Sequence, residues 1–516
     1  MIELQVRQDL AISMNHLPTC FDDIVATISA YCNRDYELMY INIWDFLDLS
    51  TVNGDQYLQR KKDNLRKYHG IHIEFKAASF SDMIPVIQRN VSRGIPVIIG
   101  FDGYYCEWDP FFGKTHNNHA CVAIDIDVQA REITLADPYF NRTKEKVSFD
   151  VLARASNHYG EVHIGGQPDL ADRMAILQQG LKRIQENGMI ERMRDFSNYI
   201  SRLSDEDMDA FYRDAIESAS GIYNYFKQTI LGRMHFGVML KSYCEIYKTE
   251  EFRIWSDELY AMAIYWESIQ NLFIKALYIG NLKSVQEELV ERIQEAARIE
   301  ERLVTRFYRR EQVKEENPTV QQTQSARKTY VCFDHIPLED HYNNKGFALD
   351  LEQADDADLT GLNEFFLIDR DYDHIVLTGE NYSFQLPCFS TGEPDNVTCG
   401  KQEISVSDKA YSGILLLGCS EWGHTKGDIT LRYKDGTSEK IAVLMPDMAT
   451  KSDEIDPASV VVSGQTYARE DGQCSIRAEK ANLFRLFLPI TGDKRLAGFM
   501  LPKGSNMHIV ALTLCC

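Results

Sequence analysis

The chain has 516 residues, 44% of them hydrophobic and 11% aromatic, which is enough apolar material for several buried cores and too much for a disordered chain. Its 55 basic and 77 acidic residues leave a formal charge of -22 at pH 7, so neither nucleic acid nor an anionic membrane is an expected partner. The 12 cysteines are dispersed, with no CxxC pair and no zinc-type Cys/His spacing, so reduced thiols, no structural metal and no cofactor are expected.

Met1 to Asp9 carries charge where a signal peptide needs an apolar run, and no uninterrupted span is long enough to cross a bilayer, which leads to the expectation of a cytoplasmic protein. Pro18 and Thr19 read as helix start signals ahead of Ile24, Val25, Ile28 and Tyr31 at helical spacing. That places Cys20 beside unpaired backbone N–H groups and the positive end of a helix dipole, both of which favour thiolate over thiol. The same position also suits a packed core thiol, so a nucleophile needs a base elsewhere. An aromatic region follows from Tyr36 to Phe46, then the basic stretch Gln59 to Lys62 and a strand from Ile71 to Phe75. Ser79 to Arg93 reads as a helix capped by Ser79 or Ser81 and closed by Gly94. Ile95 to Phe101 has the continuous apolar run of a buried strand, and after a loop from Asp102 to Asn118 come two more strands. Residues 1–166 are therefore expected to form one mixed α and β domain.

Residues 167–313 lose the strand pattern. Asp172 to Asn187, Asp205 to Ser220, Ile222 to Tyr247, Trp255 to Ile279 and Ser284 to Arg310 place apolar residues three and four apart, as an antiparallel helical bundle would. Residues 314–328 are polar and aperiodic, and read as a linker. In 329–516, short β-type runs are punctuated by Gly, Asp and Asn. Among them, Asp428 to Tyr433 and Lys440 to Leu444 are joined by the hairpin turn Lys434-Asp435-Gly436-Thr437, and the whole reads as an all-β sandwich.

The base for Cys20 is sought between His116 and Pro138, a strand, turn and strand. Antiparallel pairing about a turn centred near Val128 sets His119 opposite Asp137. An Asp so placed fixes the tautomer and orientation of His119, which can take the Cys20 proton and hand it to a leaving group. Each residue alone has an ordinary structural reading, and it is their register that marks the pair. His116 is a competing base, but its hairpin partner falls beyond Pro138. His116 with His119 also raises the idea of a metal, yet no cysteine or acidic residue nearby completes a ligand set of familiar spacing.

A cysteine at a helix start, a histidine opening one strand and an Asp-Pro closing the next resemble the papain-like fold of the bacteriocin-processing C39 cysteine peptidases. The stretch more nearly resembles the butirosin biosynthesis protein H family, whose C39-like domain also precedes a helical region. The resemblance covers residues 10 to 165 and, more loosely, 168 to 312. It implies an acyltransferase of bacterial specialised metabolism, moving an acyl or aminoacyl group from an acyl carrier protein or other thioester donor to an amine on a small molecule or peptide. Cys20 would accept the acyl group, His119 would act as base and acid, and Asp137 would orient it. Two departures stand out: C39 peptidases carry Gly directly after the cysteine and a Gln several residues before it, whereas here Phe21 follows and Leu10 to Thr19 hold no Gln. Asn15 or the Cys20 backbone N–H is left as the oxyanion donor.

In the C-terminal region, Ile336 to Leu338, Tyr342 to Gly346 and Ile429 to Gly436 are similar to galactose-binding-like jelly rolls. Trp422, His424 and the aromatics near Phe365 and Tyr382 could line a ligand groove, although a structural or dimerising sandwich, and with it a homo-oligomer, is an equal expectation. The expected fold class is thus multidomain: an α+β papain-like domain, an α-helical bundle and an all-β jelly-roll sandwich. The alternatives to acyl transfer are a cysteine peptidase or amidase with the same Cys20, His119 and Asp137, and a catalytically degenerate carbohydrate-binding or interaction protein.

Overall fold

The computed structural model describes the chain except residues 1, 8–18, 47–53, 169, 171, 205, 208–221, 280–282, 310–331, 353, 355, 371, 373–374, 380, 451–458, 471–472, 491–493 and 516. Two compact units result, one made of Met1–Met189 with Lys227–Tyr260 and the other of Ile190–Phe226 with Ala261–Cys516. The helices that the sequence pattern groups as one bundle are shared between them. The expected helix from Asp205 to Ser220 and the expected linker 314–328 fall largely or wholly outside the described residues.

In the first unit the helices are α1 (Cys20–Tyr31), α2 (Gly54–His69), α3 (Phe80–Ser92), α4 (Phe149–Ala155) and α5 (Arg173–Glu186). Among the described residues, β1 (Ile71–Ala77), β2 (Val97–Asp102), β3 (Asn118–Asp127), β4 (Glu132–Asp137), β5 (Arg142–Ser148) and β6 (His158–Ile164) form one sheet in the order β1-β6-β2-β3-β4-β5. Val97 to Phe101 is buried at every position, as a strand covered on both faces requires. The basic stretch Gln59 to Lys62 lies inside α2, and its Lys61 is turned into the core at 1% exposure.

Helix α1 is buried from Phe21 to Ser29 on all sides, so it is the unit's central helix rather than an amphipathic surface one. Its core includes Asp22, Asp23, Thr27 and Ser29, side chains that a core accepts only with polar partners. The later helices are α6 (Met189–Arg202), α7 (Ile222–Tyr247), α8 (Glu251–Ile279) and α9 (Lys283–Arg309). Residues 227–247 of α7 pack in the first unit, with Trp44 and Phe236 rings 5.4 Å apart. A Cβ on Gly232 would stand 2.4 Å from the Ile43 carbonyl oxygen, a backbone atom that cannot rotate aside. Gly232→Ala is therefore expected to destabilise the protein by about 1–2 kcal/mol, even though alanine is the better helix former. Thermal unfolding of the variant measures this, and an unchanged or raised midpoint would contradict the close packing.

In the second unit a sheet runs, in spatial order, Val397–Gly400, Lys503–Cys515, Gly413–Ser420, Gln473–Pro489, Val460–Glu470, Glu364–Ile368 and Phe347–Ala348, with Phe333–Ile336 also paired to Lys503–Cys515. A second sheet runs Glu403–Ala410, Arg495–Met500, Thr425–Tyr433 and Ser438–Met445. Thr425–Tyr433 pairs with Ser438–Met445 through the expected hairpin, where Gly436 takes φ 83°. Ile414, Leu416, Ile429, Leu431, Phe499 and Leu512 interdigitate between the two sheets as one core. Among the described residues no helix is long and apolar enough to cross a membrane.

Candidate active site

Cys20 is the first residue of α1, and Thr19 before it takes the extended N-cap conformation at φ -76° and ψ 147°. The thiol is half-buried and sits at the mouth of the central helix. Asn15, the oxyanion candidate, lies outside the described residues. The Cys20 backbone N–H stays in place at the helix N-terminus, where the dipole favours an anion.

The β3–β4 hairpin brings His119 and Asp137 together, but not in the expected register. Ala123, expected opposite Ile133, faces Leu135, and a bulge separates Ala123 from Asp125. The turn is thus later than Val128, and at the far end of the hairpin the pairing is displaced by an even number of residues. An even displacement keeps each side chain on its face of the sheet, whereas an odd one would have reversed it. His119 and Asp137 become diagonal instead of direct neighbours, which is within reach for long side chains. His119 Nε2 lies 2.7 Å from Asp137 Oδ2.

Asp137 is completely buried and saturated with donors. Its Oδ2 accepts from His119 Nε2 and Trp108 Nε1, both at 2.7 Å, and from the Cys121 thiol at 3.5 Å. Its Oδ1 accepts from the Phe140 N–H at 3.3 Å. An ionised carboxylate only accepts, so His119 must carry a hydrogen on Nε2, and the remaining ring nitrogen is left for Cys20, which also acts to raise the ring. Burial alone would favour the neutral ring, but the hydrogen bonds and charges of Asp137 and Cys20 outweigh it and raise His119 to about 10. The ring is walled by Tyr139 and Phe140, with centroids at 5.7 and 5.2 Å. Burial, followed by the charges around it, pushes the Tyr139 phenol up, so it remains neutral.

Two further thiols stand close to this carboxylate. Burial and then the Asp137 charge push Cys106 up to about 12 and Cys121 well above the ordinary thiol range. Both therefore stay protonated at neutral pH, while Cys20 faces an imidazole. Ligand atoms of His119, Cys121 and Asp137 all lie within 4.8 Å of one another, so the expectation that nothing nearby completes a ligand set does not hold in space. The spacing is nevertheless that of shared protons: two ligands of a tetrahedral zinc stand about 3.3 Å apart, farther than the His119–Asp137 separation of 2.7 Å.

His116, the competing base, is turned elsewhere. Its Nδ1 lies 2.6 Å from Asp102 Oδ2 and its ring stacks on Tyr104 at 4.4 Å. Trp108 carries no signal in the sequence, because nothing in the spacing of the Asp102 to Asn118 loop singles it out. In the sandwich, Phe365 is 1% exposed and stacked on Tyr467, and Arg485 lies over the Tyr382 ring at 4.8 Å. His424 Nδ1 accepts from the Asp447 N–H at 3.0 Å, while Trp422 takes a left-handed φ of 56°. Phe365 is therefore core, not groove.

Residues 47–163 match the model of the Peptidase_C39 like family, a stretch that holds His119 and Asp137 and begins after Cys20. Residues 333–515 match the model of the AziU2-like beta-sandwich domain. No curated protein matches the chain. The chain is therefore multidomain, with a C39-like α+β domain in its N-terminal part and a β-sandwich at its C-terminal end, and the first supports cysteine-dependent chemistry of the peptidase or transferase type.

Proposed function

We propose that the protein is a cysteine-dependent acyltransferase that moves an acyl or aminoacyl group from a thioester donor, such as an acyl carrier protein, to an amine in specialised metabolism. The observation that carries this reading is the row of polar atoms from Asp137 through His119 to Cys20 at a helix N-terminus. In the first half-reaction the proton that Cys20 and His119 share rests on the imidazole, and the Cys20 sulfur attacks the thioester carbonyl. The negative oxygen that forms can be met by the Cys20 N–H at the positive end of α1. His119 then protonates the departing donor thiol, leaving the acyl group on Cys20. In the second half-reaction the amine loses a proton to His119, its nitrogen takes the acyl carbon, and the proton returns to Cys20 as its bond to the acyl group breaks. Transfer rather than hydrolysis requires the amine to be held and water kept scarce. The buried His119 and the aromatic walls of Tyr139 and Phe140 favour that outcome.

A cysteine peptidase or amidase with the same residues is the second reading, favoured by the C39-like match. Incubation with an acyl thioester of N-acetylcysteamine, followed by intact-mass analysis, tests both. An acyl adduct on the wild type that is absent from Cys20→Ala, and that an added amine discharges faster than water does, supports transfer. Faster discharge by water supports the hydrolase, and no adduct together with no enhanced thiol reactivity overturns both.

A further inference from the structure

Below Cys20 lies a second buried polar cluster that the chemistry above does not use. At its centre is Asp22, in the first turn of α1. Its Oδ2 accepts from the backbone N–H of Thr19 at 3.3 Å and from the Thr19 hydroxyl at 2.6 Å. Its Oδ1 accepts from Lys61 Nζ at 2.7 Å and from the Tyr40 hydroxyl at 3.2 Å. His235 Nε2 stands 3.5 Å from Oδ2, and its ring stacks on Tyr40 at 4.6 Å. Asp22, Lys61, Tyr40 and His235 are all inaccessible to solvent to within 2%. The Lys61 ammonium is further enclosed by the rings of Tyr57, at 4.9 Å, and Phe21, at 5.5 Å.

The protons in this cluster are assigned by its acceptors. Burial lowers His235 to about 4, so the ring is neutral at neutral pH, and burial raises the Tyr57 phenol. Tyr57 therefore donates to Nδ1 at 2.9 Å, and the hydrogen on Nε2 faces Asp22. Burial alone would raise the Asp22 carboxyl, but Lys61 and then His235 hold it at about 2. Every oxygen of one carboxylate thus meets donors from a different element: the cap residue next to Cys20, the Tyr36–Phe46 region, α2 and α7.

A buried ion pair seldom adds stability over apolar side chains of the same volume. What this one supplies is geometry and charge balance. Asp22 grips Thr19, the residue directly before Cys20, while Lys61 cancels a negative charge that would otherwise stand beside the sulfur as it becomes anionic. We propose that Asp22, Lys61 and His235 are positioning residues that hold the first turn of α1 so that the Cys20 sulfur faces His119. Through His235, α7, which lies outside the C39-like stretch, becomes part of the catalytic apparatus. This inference rests on the reading of Cys20 as a nucleophile.

Two replacements that leave no buried charge unpaired test it. His235→Phe keeps the ring on Tyr40 and removes only the polar contacts, and Asp22→Asn with Lys61→Met removes both partners of the ion pair. Cys20 alkylation by iodoacetamide is followed by peptide mapping alongside far-UV circular dichroism. Both variants are expected to keep the native spectrum and to alkylate Cys20 about 10- to 100-fold more slowly than the wild type. Folded variants with wild-type rates would overturn the positioning role, as would loss of the folded state in both, which would make the cluster purely structural. If wild-type Cys20 reacts no faster than an ordinary exposed thiol, it is the cysteine-enzyme reading that fails instead.

Discussion

Cys20→Ala is expected to lower acyl transfer by about 10⁴-fold or more, His119→Ala by a similar factor, and the double variant by no more than either alone. The reason is that the two side chains share one proton. Without sulfur there is nothing to receive the acyl group, and without the imidazole the thiol keeps its proton and the leaving thiol gains none. Residues acting as a unit lose their effect together, so a multiplicative loss in the double variant would contradict the action of His119 and Cys20 as one pair. Single-turnover transfer from a thioester to an amine is the measurement, with intact-mass analysis to show whether an acyl-enzyme forms. Cys106 and Cys121 give the reading its contrast, because burial and the Asp137 charge hold both as thiols. An adduct mapping to either would displace Cys20 from its role.

Asp137→Asn is expected to lower turnover by about 10²- to 10⁴-fold and to destabilise the protein by about 3 kcal/mol. The isosteric amide cannot satisfy its surroundings in either orientation. With its NH₂ at the Oδ2 position it meets three donors, His119, Trp108 and Cys121; flipped, it meets the Phe140 N–H. The pH dependence has a defined sign. His119 is raised in the folded protein to about 10 from an ordinary value of 6.5, so the stability it contributes is fully present below 6.5 and is lost as pH rises through 10. Asp137→Asn removes the leading attraction for that proton. The unfolding midpoint of the variant should therefore lie below that of the wild type at pH 6, and the gap should narrow toward pH 10. A gap that widens with pH would mean that Asp137 does not stabilise the imidazolium.

Local signals account for much of what could be read from the residues. Pro18, Thr19 and the apolar spacing after Cys20 announce a helix that begins at Cys20, and Ser79 caps a helix from Phe80 to Ser92. The Asp435-Gly436 turn forms the hairpin it implies. The meeting of His119 and Asp137 was legible for a subtler reason. The turn falls later than Val128, but with a strand period of two an even displacement leaves both side chains on one face. An error of one residue would have parted them. Trp108 had no such signal, since a donor in an irregular loop is placed by the path of the loop rather than by a period.

Composition and periodicity determined that this chain builds an α and β unit, long helices and a β-sandwich, because helical and strand spacing are properties of neighbours in sequence. They also placed a thiol at a helix start. Only the tertiary structure decided what surrounds it. Lys61 reads in sequence as one member of a polar basic stretch, and His235 as one residue of a long helix. Both end up sealed around Asp22 because the remaining polar groups of a fully buried helix must find partners wherever the packing supplies them. Such partners lie 39 and 213 residues away in the chain, and no spacing rule reaches that far.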